Sequence, residues 1–558
     1  ASPEKIKNLE LFPKVSTELT SAITNSSTTI QVTSTSDFSL PADGTTLETY
    51  LILGDEIIKY TAKTDTTFTG CVRGQFGTIA TSHNIGDNAE AAYRLQGNML
   101  DLSLKLMLSG ENTPYAIDIP ILSFVQYGSI TAVNSLFVSK FNFDQFYGVV
   151  SGDTIVITDA TNPSNNVTST VSSVTTTDIG SYITINAPLV LEGSGAKFSL
   201  TSKYAVLPKF CGLEMTPDQV DVAEFERIYN TFSAQFFNYD FFIKEAVKGS
   251  EFINSQILFP SGCYAIPRKA KTSIGITTPP LATYETKLID ETNAVAASSL
   301  KINRNISNYF YNAVVIKYDK DQVDEKYKRG KIRQSATSTN RIKVPNKYMT
   351  LEADGVRFES NFDGKFDIIA RRQLERHQFA AESIEVQVQY GVGFDVEIGD
   401  VVILKGLQIS DTKDGTGERG LRPRLFEVIN KVANTKGTPI RLTLLDTAYS
   451  LNGRYGVISP SSKLRAGSST TVLRLKKSYG TNLSTRSEGY KWRNLVGAKV
   501  KIRSVDYTYL EERTIESLNP TDDDSIIITP ALPTAPLENY IVDLSLIHIS
   551  EPTRLLSI

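Results

Sequence analysis

The chain has 558 residues, 41% of them hydrophobic and 21% charged, a composition that excludes a wholly disordered or collagen-like protein. At roughly 150 residues a domain, this length predicts three or four domains. Lys and Arg number 58 and Asp and Glu number 61, so the formal net charge is −3, which is too near neutral for a general nucleic-acid binder.

The number and spacing of the cysteines, and the lack of long apolar runs, indicate the cellular compartment. Cys71, Cys211 and Cys263 are odd in number and lack CxxC spacing, which favours a reducing compartment over a disulfide framework or a zinc site. No run of about 18 apolar residues occurs, and the first residues lack the basic-then-apolar order of a secretion signal. We therefore expect no stable membrane insertion and no conventional export.

The N-terminal region is predicted to be a β module. Short apolar alternations separated by turn residues occur between residues 26 and 95, for example at 50–53 and 56–61. A period of two with β-branched residues is typical of strands. Gly54-Asp55 is a hairpin signal, and the glycines of Arg73-Gly-Gln-Phe-Gly-Thr78 can take positive φ where a strand turns sharply.

The next two regions differ in how clearly they can be assigned. Residues 97–110 alternate Leu with polar residues, but these residue types favour a helix and Gly110 follows where a C-cap would lie, so strand and helix remain open alternatives. Residues 121–207 return to the β pattern, divided by Asn, Pro and Gly clusters. This pattern predicts a second β module or a small barrel.

The central region is predicted to contain three helices. The first begins at Thr216 as N-cap with Pro217 at its first position, a second short helix follows Ser250, and a third covers about 366–376. The apolar face of the first helix comprises Val222, Phe225, Ile228, Tyr229 and Phe232. The aromatic run at 236–242 is too dense for exposure and predicts a buried strand.

The sequence as a whole predicts a mainly β fold with a few short helices and several small β-barrel or β-sandwich modules. The pattern is β again at 384–447, and a linker at 459–462 leads into a last β module at 464–543. The predicted segments are an N-terminal β module at 1–110, a second β module at 111–207, a core at 208–460 and a C-terminal β module at 461–543.

The last fifteen residues, 544–558, are predicted not to belong to the natural protein. The segment from Leu544 to Arg554 resembles the in-frame translation of a transposon-based sequencing-library adapter. We therefore expect a truncated chain whose genuine sequence ends near Asp543, and we exclude the tail from fold reasoning. A natural amphipathic tail is the alternative.

No motif in the sequence supports catalysis. The GxGxxG match at 415–420 is followed by Pro423 in a charged loop, so a flexible hairpin loop is favoured over a dinucleotide site. His83 and His377 are the only histidines before the tail, too few for a His-rich metal site or a well-supported triad. Asp522-Asp-Asp524 is better explained as a hairpin tip than as a cation site. We assign no catalytic, cofactor-binding or metal-binding residue, expect no cofactor, and predict that the protein is not an enzyme.

Residues 301–347 are strongly basic. Twelve cations outnumber four carboxylates there, a local balance of +8: Lys301, Arg304, Lys317, Lys320, Lys326, Lys328, Arg329, Lys331, Arg333, Arg341, Lys343 and Lys347 against Asp319, Asp321, Asp324 and Glu325. This stretch could line a channel for nucleic acid or dock an acidic partner. A solvated, salt-bridged loop is the favoured alternative.

Two parts of the chain resemble structural proteins of tailed bacteriophages. The N-terminal motif, 54–60 with the RGxxGT sequence at 73–78 followed by His83 and Gly86, resembles a β module that recurs in these proteins. The body resembles tail hub or tail-tip attachment proteins at 241–252, 262–268, 311–316, 399–402 and 442–446. The resemblance implies barrel-like domains, with 208–460 as a hub-like core, assembled as a ring that continues the tail tube. It transfers no active site.

The function that this resemblance implies is that of a baseplate or tail-tip hub in the virion, assembled in the bacterial host cytoplasm. The expected partners are further copies of the chain in a ring, and the tail tube, tape-measure and tail-fibre or tip proteins. The channel of such a ring could pass DNA. Two alternatives remain open: a receptor-binding or fibre-attachment protein, and a tail-tip cell-wall hydrolase.

Overall fold

The computed structural model describes residues 9–42, 44–110, 115–126, 133–139, 148–177, 179–268, 271–276, 287–290, 301–303, 310–335, 346–378, 382–404, 424–433, 438–450, 461–476, 499–504, 509–519, 522 and 525–544. Within these ranges the chain is mostly β, with eight sheets and a few short helices. The predicted mainly β fold class is confirmed. The chain divides into two compact units, residues 1–277 with 311–378 and residues 278–310 with 379–558.

The N-terminal β module forms because its strands bury one face completely and part of the other. In the strand Leu47–Leu53 the alternate residues Leu47, Thr49, Leu51 and Leu53 are buried as predicted, and Tyr50 on the opposite face is buried in a second cluster. This strand pairs with Glu56–Tyr60 through the expected turn, where Gly54 has a φ of +56°. The main sheet has the order Asn238–Ile243, Asn88–Asn98, Leu47–Leu53, Glu56–Tyr60, with Ser16–Glu18 also paired to Asn88–Asn98. Two smaller sheets are Ile30–Gln31, Thr67–Thr69, Ala62–Lys63, and Glu10–Leu11 with Val247–Lys248.

The second β region is a curved seven-stranded sheet whose two edge strands are joined by residues 121–122. Its order is Ser123–Gln126, Val133–Ser139, Gly180–Leu189, Thr168–Thr176, Thr154–Thr158, Lys197–Thr201, Tyr115–Pro120. The two edge strands are consecutive in the chain, and between them the Ile121 amide donates to the Ala196 carbonyl while the Leu122 amide donates to the Phe137 carbonyl. The interior is filled by a hydrophobic cluster of its own. We call this sheet the 115–201 barrel.

Residues 99–108, for which strand and helix were both open, form the helix Met99–Leu108 directly after a strand. The Asn98 side chain accepts a hydrogen bond from the Asp101 amide at 2.9 Å and so caps the helix start. All but one of the ten helical residues are buried, which explains why the Leu spacing showed no single helical face.

The helix expected to begin at Thr216 begins later, at Val222, and ends at Phe232. The predicted start is wrong because Val220 forms a parallel bridge with Thr272, and the Asp221 amide donates to the Thr272 carbonyl, which holds these residues in an extended conformation. The predicted apolar face is largely confirmed, since Val222, Phe225 and Ile228 are buried and the other two residues pack against the same core.

The rest of the first unit contains two further helical segments and two small sheets. The helix Gly249–Phe252 continues as the π-helix Ile253–Leu258, and the helix Phe362–His377 is longer than the predicted 366–376. The sheets are Cys263–Arg268 with Lys271–Ile276, and Tyr327–Gln334, Ala313–Lys320, Tyr348–Glu352. Short 3₁₀ turns lie at Gln75–Gly77, Pro163–Asn165, Ser233–Gln235 and Phe259–Ser261.

The second unit contains two six-stranded sheets. The first has the order Lys287–Ile289, Val401–Leu404, Arg424–Val432, Ile440–Ser450, Ser383–Val388, Lys301–Asn303, with the short helix Tyr390–Phe394. The second has the order Ser461–Lys463, Ile541–Leu544, Lys499–Arg503, Leu510–Leu518, Ser525–Thr529, Val472–Arg474. A bridge between Leu464 and Leu475 joins its two edges. The β regions predicted at 384–447 and 464–543 therefore contain strands where the structure describes them.

Among the described residues, no helix has the length and apolar character needed to cross a bilayer.

Candidate functional site

The residues of the N-terminal motif converge on one buried carboxylate, Glu56. It begins the strand Glu56–Tyr60, and its side chain is almost completely removed from solvent. Oε1 accepts hydrogen bonds from Arg73 Nε at 2.8 Å and the Gly74 amide at 3.1 Å. Oε2 accepts from an Arg73 terminal nitrogen at 2.7 Å and the Thr81 amide at 3.1 Å, and lies 2.9 Å from His83 Nε2. We call these five residues the Glu56 clamp.

The clamp ties distant segments of the module together. The Arg73 side chain is itself buried; its terminal nitrogen Nη1 donates to the Thr24 carbonyl, and Nη2, which also donates to Glu56, donates to the Thr81 carbonyl. The backbone of His83 pairs with Ile23, so the imidazole is fixed beside the carboxylate. Buried charges such as those of Glu56 and Arg73 are tolerated when they are paired with each other and fully hydrogen-bonded.

The turn between Arg73 and Thr78 shapes the clamp. Gly74 has a φ of +62° and Gly77 a φ of +79°, a region that glycine adopts at little cost. A Cβ on Gly74 would lie 2.9 Å from the Thr78 carbonyl oxygen, whereas one on Gly77 would meet open space. The Thr78 hydroxyl donates to the Gln75 carbonyl at 2.7 Å and accepts from the Ile57 amide at 3.1 Å.

The electrostatics of the clamp favour a permanently charged carboxylate. Burial alone would raise the pKa of Glu56, but the hydrogen bonds from Arg73, His83 and the Thr81 amide outweigh burial and lower the pKa to about 2. A carboxylate whose oxygens are occupied by donors is poorly placed to transfer a proton, so the arrangement serves to hold the module in shape. His83 belongs to this structural group.

The other residues weighed for chemistry are placed differently. The His377 ring is buried at the end of the helix Phe362–His377 and stacks on Tyr311 with ring centroids 4.4 Å apart. Asp522, between two hairpin strands, accepts hydrogen bonds from Arg465 and from the Ser525 hydroxyl, both at 2.6 Å. The GxGxxG match at 415–420 lies outside the described residues, as do Asp523, Asp524 and the tail from 545 onward.

The cysteines are buried and free. Burial raises the pKa of the Cys71 thiol to about 11 and the pKa of the Cys211 and Cys263 thiols to about 12, so each behaves as a small apolar side chain. Within the described ranges, no three His, Cys, Asp or Glu side chains are grouped so that they could hold a metal ion.

The basic stretch is extensively ion-paired where it is described. Its cations contact carboxylates inside the stretch and, beyond it, carboxylates that a count over 301–347 leaves out. The pairs are Lys317–Glu352, Lys320–Asp354, Lys328–Asp321, Arg329–Asp319, Lys331–Asp363 and Arg333–Asp367. This pairing agrees with the salt-bridged alternative, but the expected loop is wrong, because Ala313–Lys320 and Tyr327–Gln334 are paired strands. Arg304, Arg341 and Lys343 lie outside the described residues.

The aromatic run at 236–242 and a shorter run at 309–311 are buried or packed against a hydrophobic cluster where the structure describes them. Residues 238–243 form the strand that was predicted, and Phe237, Tyr239 and Phe241 are at most 2% exposed. Phe310 is buried and Tyr311 packs against the core, while Tyr309 lies outside the described residues.

Comparison with known proteins gives structural similarities only. No protein-family model matches the chain, and no curated protein matches it in sequence. A chain of the virion of a native gene transfer agent particle is 8% identical, with a TM-score of 0.27 over 62% of this chain and 91% of that one. A tail protein from Neisseria meningitidis MC58 is 12% identical, with a TM-score of 0.23 over 56% and 96%.

A third solved structure is the prophage tail protein gp18 from Listeria monocytogenes EGD-e. It is 9% identical, with a TM-score of 0.24 over 59% of this chain and 94% of that one. The solved structures to which the chain is similar thus include a bacterial tail protein, a prophage tail protein and a chain of a gene transfer agent virion.

Proposed function

We propose that the chain is a structural protein of a bacteriophage tail, and more narrowly a baseplate or tail-tip hub that forms a ring linking the tail tube to the distal tip. The observation that carries the proposal is the Glu56 clamp. The residues through which the N-terminal region resembles a phage tail module are those that hold this module folded, so the motif has a structural role.

The charge distribution supports a non-enzymatic role. In the part of the chain that the structure describes, the His83 ring lies 2.9 Å from the buried Glu56 carboxylate and the His377 ring stacks on Tyr311. Several curled β sheets with separate hydrophobic clusters are a suitable architecture for an assembly component, because each module can present a rigid outer surface.

The proposal includes the segment boundaries and the identity of the tail. We propose modules at 1–110, 111–207, 208–460 and 461–543, and we propose that 544–558 derives from a sequencing adapter. The clusters at 121–200 and 464–542 agree with the second and fourth modules. The first module shares one continuous core with residues 204–374.

Electron microscopy of the labelled chain mixed with tail tubes tests this function. We expect label at one end of each tube. Label along fibres, or on the tube sides, would indicate an attachment protein and contradict the hub. Clearing of cell-wall material by the purified chain, abolished by substitution of one carboxylate or cysteine, would instead establish the hydrolase.

A further inference from the structure

The outer face of the 115–201 barrel is rich in small hydroxyl side chains, with Val156 and Lys197 among its other residues. The strand registers define which residues share this face, because inward positions such as Ile155, Ile183 and Leu200 alternate with outward ones. The outward residues that carry hydroxyls are Thr154, Thr168, Thr170, Ser173, Thr175, Thr184, Ser199 and Thr201. Thr170 pairs with Thr154, which pairs in turn with Thr201, so the hydroxyls form rows across three strands.

Charged side chains are nearly absent from this region. Residues 160–191 contain one charged residue, Asp178, although 21% of the whole chain is charged. Lys197, at one end of the face, contacts Asp159 at 3.5 Å. Strand propensity explains why Thr is frequent on exposed sheet surfaces. It does not explain the near absence of Lys and Glu, which commonly occupy exposed positions elsewhere in the chain.

One aromatic pair interrupts the hydroxyl rows. Phe137 and Tyr182 lie opposite each other on adjacent strands, outward-facing and partly exposed, with ring centroids 4.9 Å apart. Thr175 is the partner of Tyr182 on the next strand, so the ring pair and the hydroxyls form one continuous surface.

We propose that this outer face binds a neutral polysaccharide. A pyranose ring presents an apolar C–H face, which can stack on an aromatic ring, and equatorial hydroxyls, which both donate and accept hydrogen bonds as Ser and Thr do. An anionic or cationic polymer needs an array of opposite charges, but Lys197, which contacts Asp159, is the one charged residue at the described outward positions of the strands 154–158, 168–176, 180–189 and 197–201. The surface is thus complementary in charge and in hydrogen bonding to an uncharged polyol.

Affinity electrophoresis of the full chain tests the proposal, with gels containing dextran, mannan, galactan or a soluble β-glucan and a polygalacturonate gel as the acidic control. At least one neutral polysaccharide should retard the chain. Tyr182→Ala should weaken that retardation about tenfold, the order expected from losing one stacked ring, and Thr175→Lys should weaken it by placing a charge on the face. Tyr348→Ala is the matched control, because Tyr348 is 51% exposed on a different sheet.

Circular dichroism of each variant keeps the test interpretable. Thr175→Lys replaces a half-exposed hydroxyl, so it reports on the face even if Tyr182→Ala perturbs the barrel. No retardation in any neutral gel, equal retardation by polygalacturonate, or retardation unchanged in both barrel variants would overturn the proposal. Loss of self-association alone in these variants, measured by light scattering, would assign the face to a second copy of the chain and would also overturn it. None of these outcomes depends on the hub ring.

Discussion

Glu56 is the residue on which the N-terminal β module depends most. Its carboxylate neutralises the buried Arg73 and accepts hydrogen bonds from the backbone amides of Gly74 and Thr81. One side chain therefore holds the strand Glu56–Tyr60 and the segment 73–83 together. Removing one partner of a buried ion pair leaves the other partner charged and without a counter-charge. The resulting loss in the free energy of unfolding is larger than the net contribution of the intact ion pair.

Glu56→Ala should therefore destabilise the protein strongly. We expect a loss of about 3–5 kcal/mol in the free energy of unfolding, because Arg73 would remain buried without its carboxylate. Asp55→Asn is the matched control, since Asp55 is the exposed neighbour, and it should change stability by less than about 0.5 kcal/mol. Chemical denaturation of both variants measures the difference, and equal effects would show that the clamp has no special role.

Asp153 should give the stability of the 115–201 barrel a distinctive pH dependence. Burial raises the pKa of Asp153 to about 6, although the Val150 and Lys203 amides, each 3.0 Å from a carboxylate oxygen, oppose this shift. The folded state therefore binds the proton more tightly than the unfolded chain does, and this contribution to stability is present below pH 4 and lost as the pH rises through about 6.

Thermal melts between pH 4 and 7 compare the protein with Asp153→Asn, which cannot ionise. The wild-type melting temperature should fall relative to that of the variant as the pH rises. Parallel curves would show that Asp153 does not titrate in this range.

At the scale of elements, the turn at 73–78 and the strand at 238–243 show what the sequence could and could not predict. Period-two patterns located the strands, and the dense aromatic run located a buried one. The Glu56 clamp was beyond such reasoning, because its partners lie 17 to 27 residues from Glu56 in sequence. Salt bridges in the basic stretch were expected, but Asp363 and Asp367 could not be identified as partners for the same reason, since they lie on a later helix.

Two glycines of the motif offer a matched pair of substitutions. Gly74→Ala and Gly77→Ala both place a side chain at positive φ, which costs roughly 1–2 kcal/mol. Only the Gly74 variant also forces a Cβ against the Thr78 carbonyl. We expect Gly74→Ala to lower the free energy of unfolding by clearly more than Gly77→Ala. The prediction fails if the two losses are the same within error in denaturant titrations.

The buried aromatic strand Asn238–Ile243 is expected to stabilise the core and not to form an interface between copies of the chain. Phe241 packs against Tyr239 and Phe252, with ring centroids 5.5 and 4.9 Å apart. Phe241→Ala should cost roughly 3–5 kcal/mol of stability, whereas Tyr348→Ala, at an exposed position, should cost far less. If Phe241→Ala instead left stability unchanged and abolished self-association, the strand would be an interface.

At the scale of the whole molecule, a ring needs surface that the folded units do not use themselves. Obligate interfaces bury on the order of 2,000 Å² or more. Because the aromatic runs are internal where the structure describes them, we expect the contacts to include other exposed apolar side chains of the described residues, such as Ile79, Ile85, Leu510 and Leu537. Local pairing of the basic stretch lowers the repulsion that symmetry would otherwise create there, so assembly should tolerate moderate salt.

The most direct test of the hub is the mass of the particle in solution. Multi-angle light scattering across protein concentration and at two ionic strengths, with and without tail tube protein, measures it. If the chain forms a hub ring, we expect a closed oligomer of fixed mass at tens of micromolar that persists at moderate salt. A strictly monomeric particle under all of these conditions, including those with tube protein present, would contradict it.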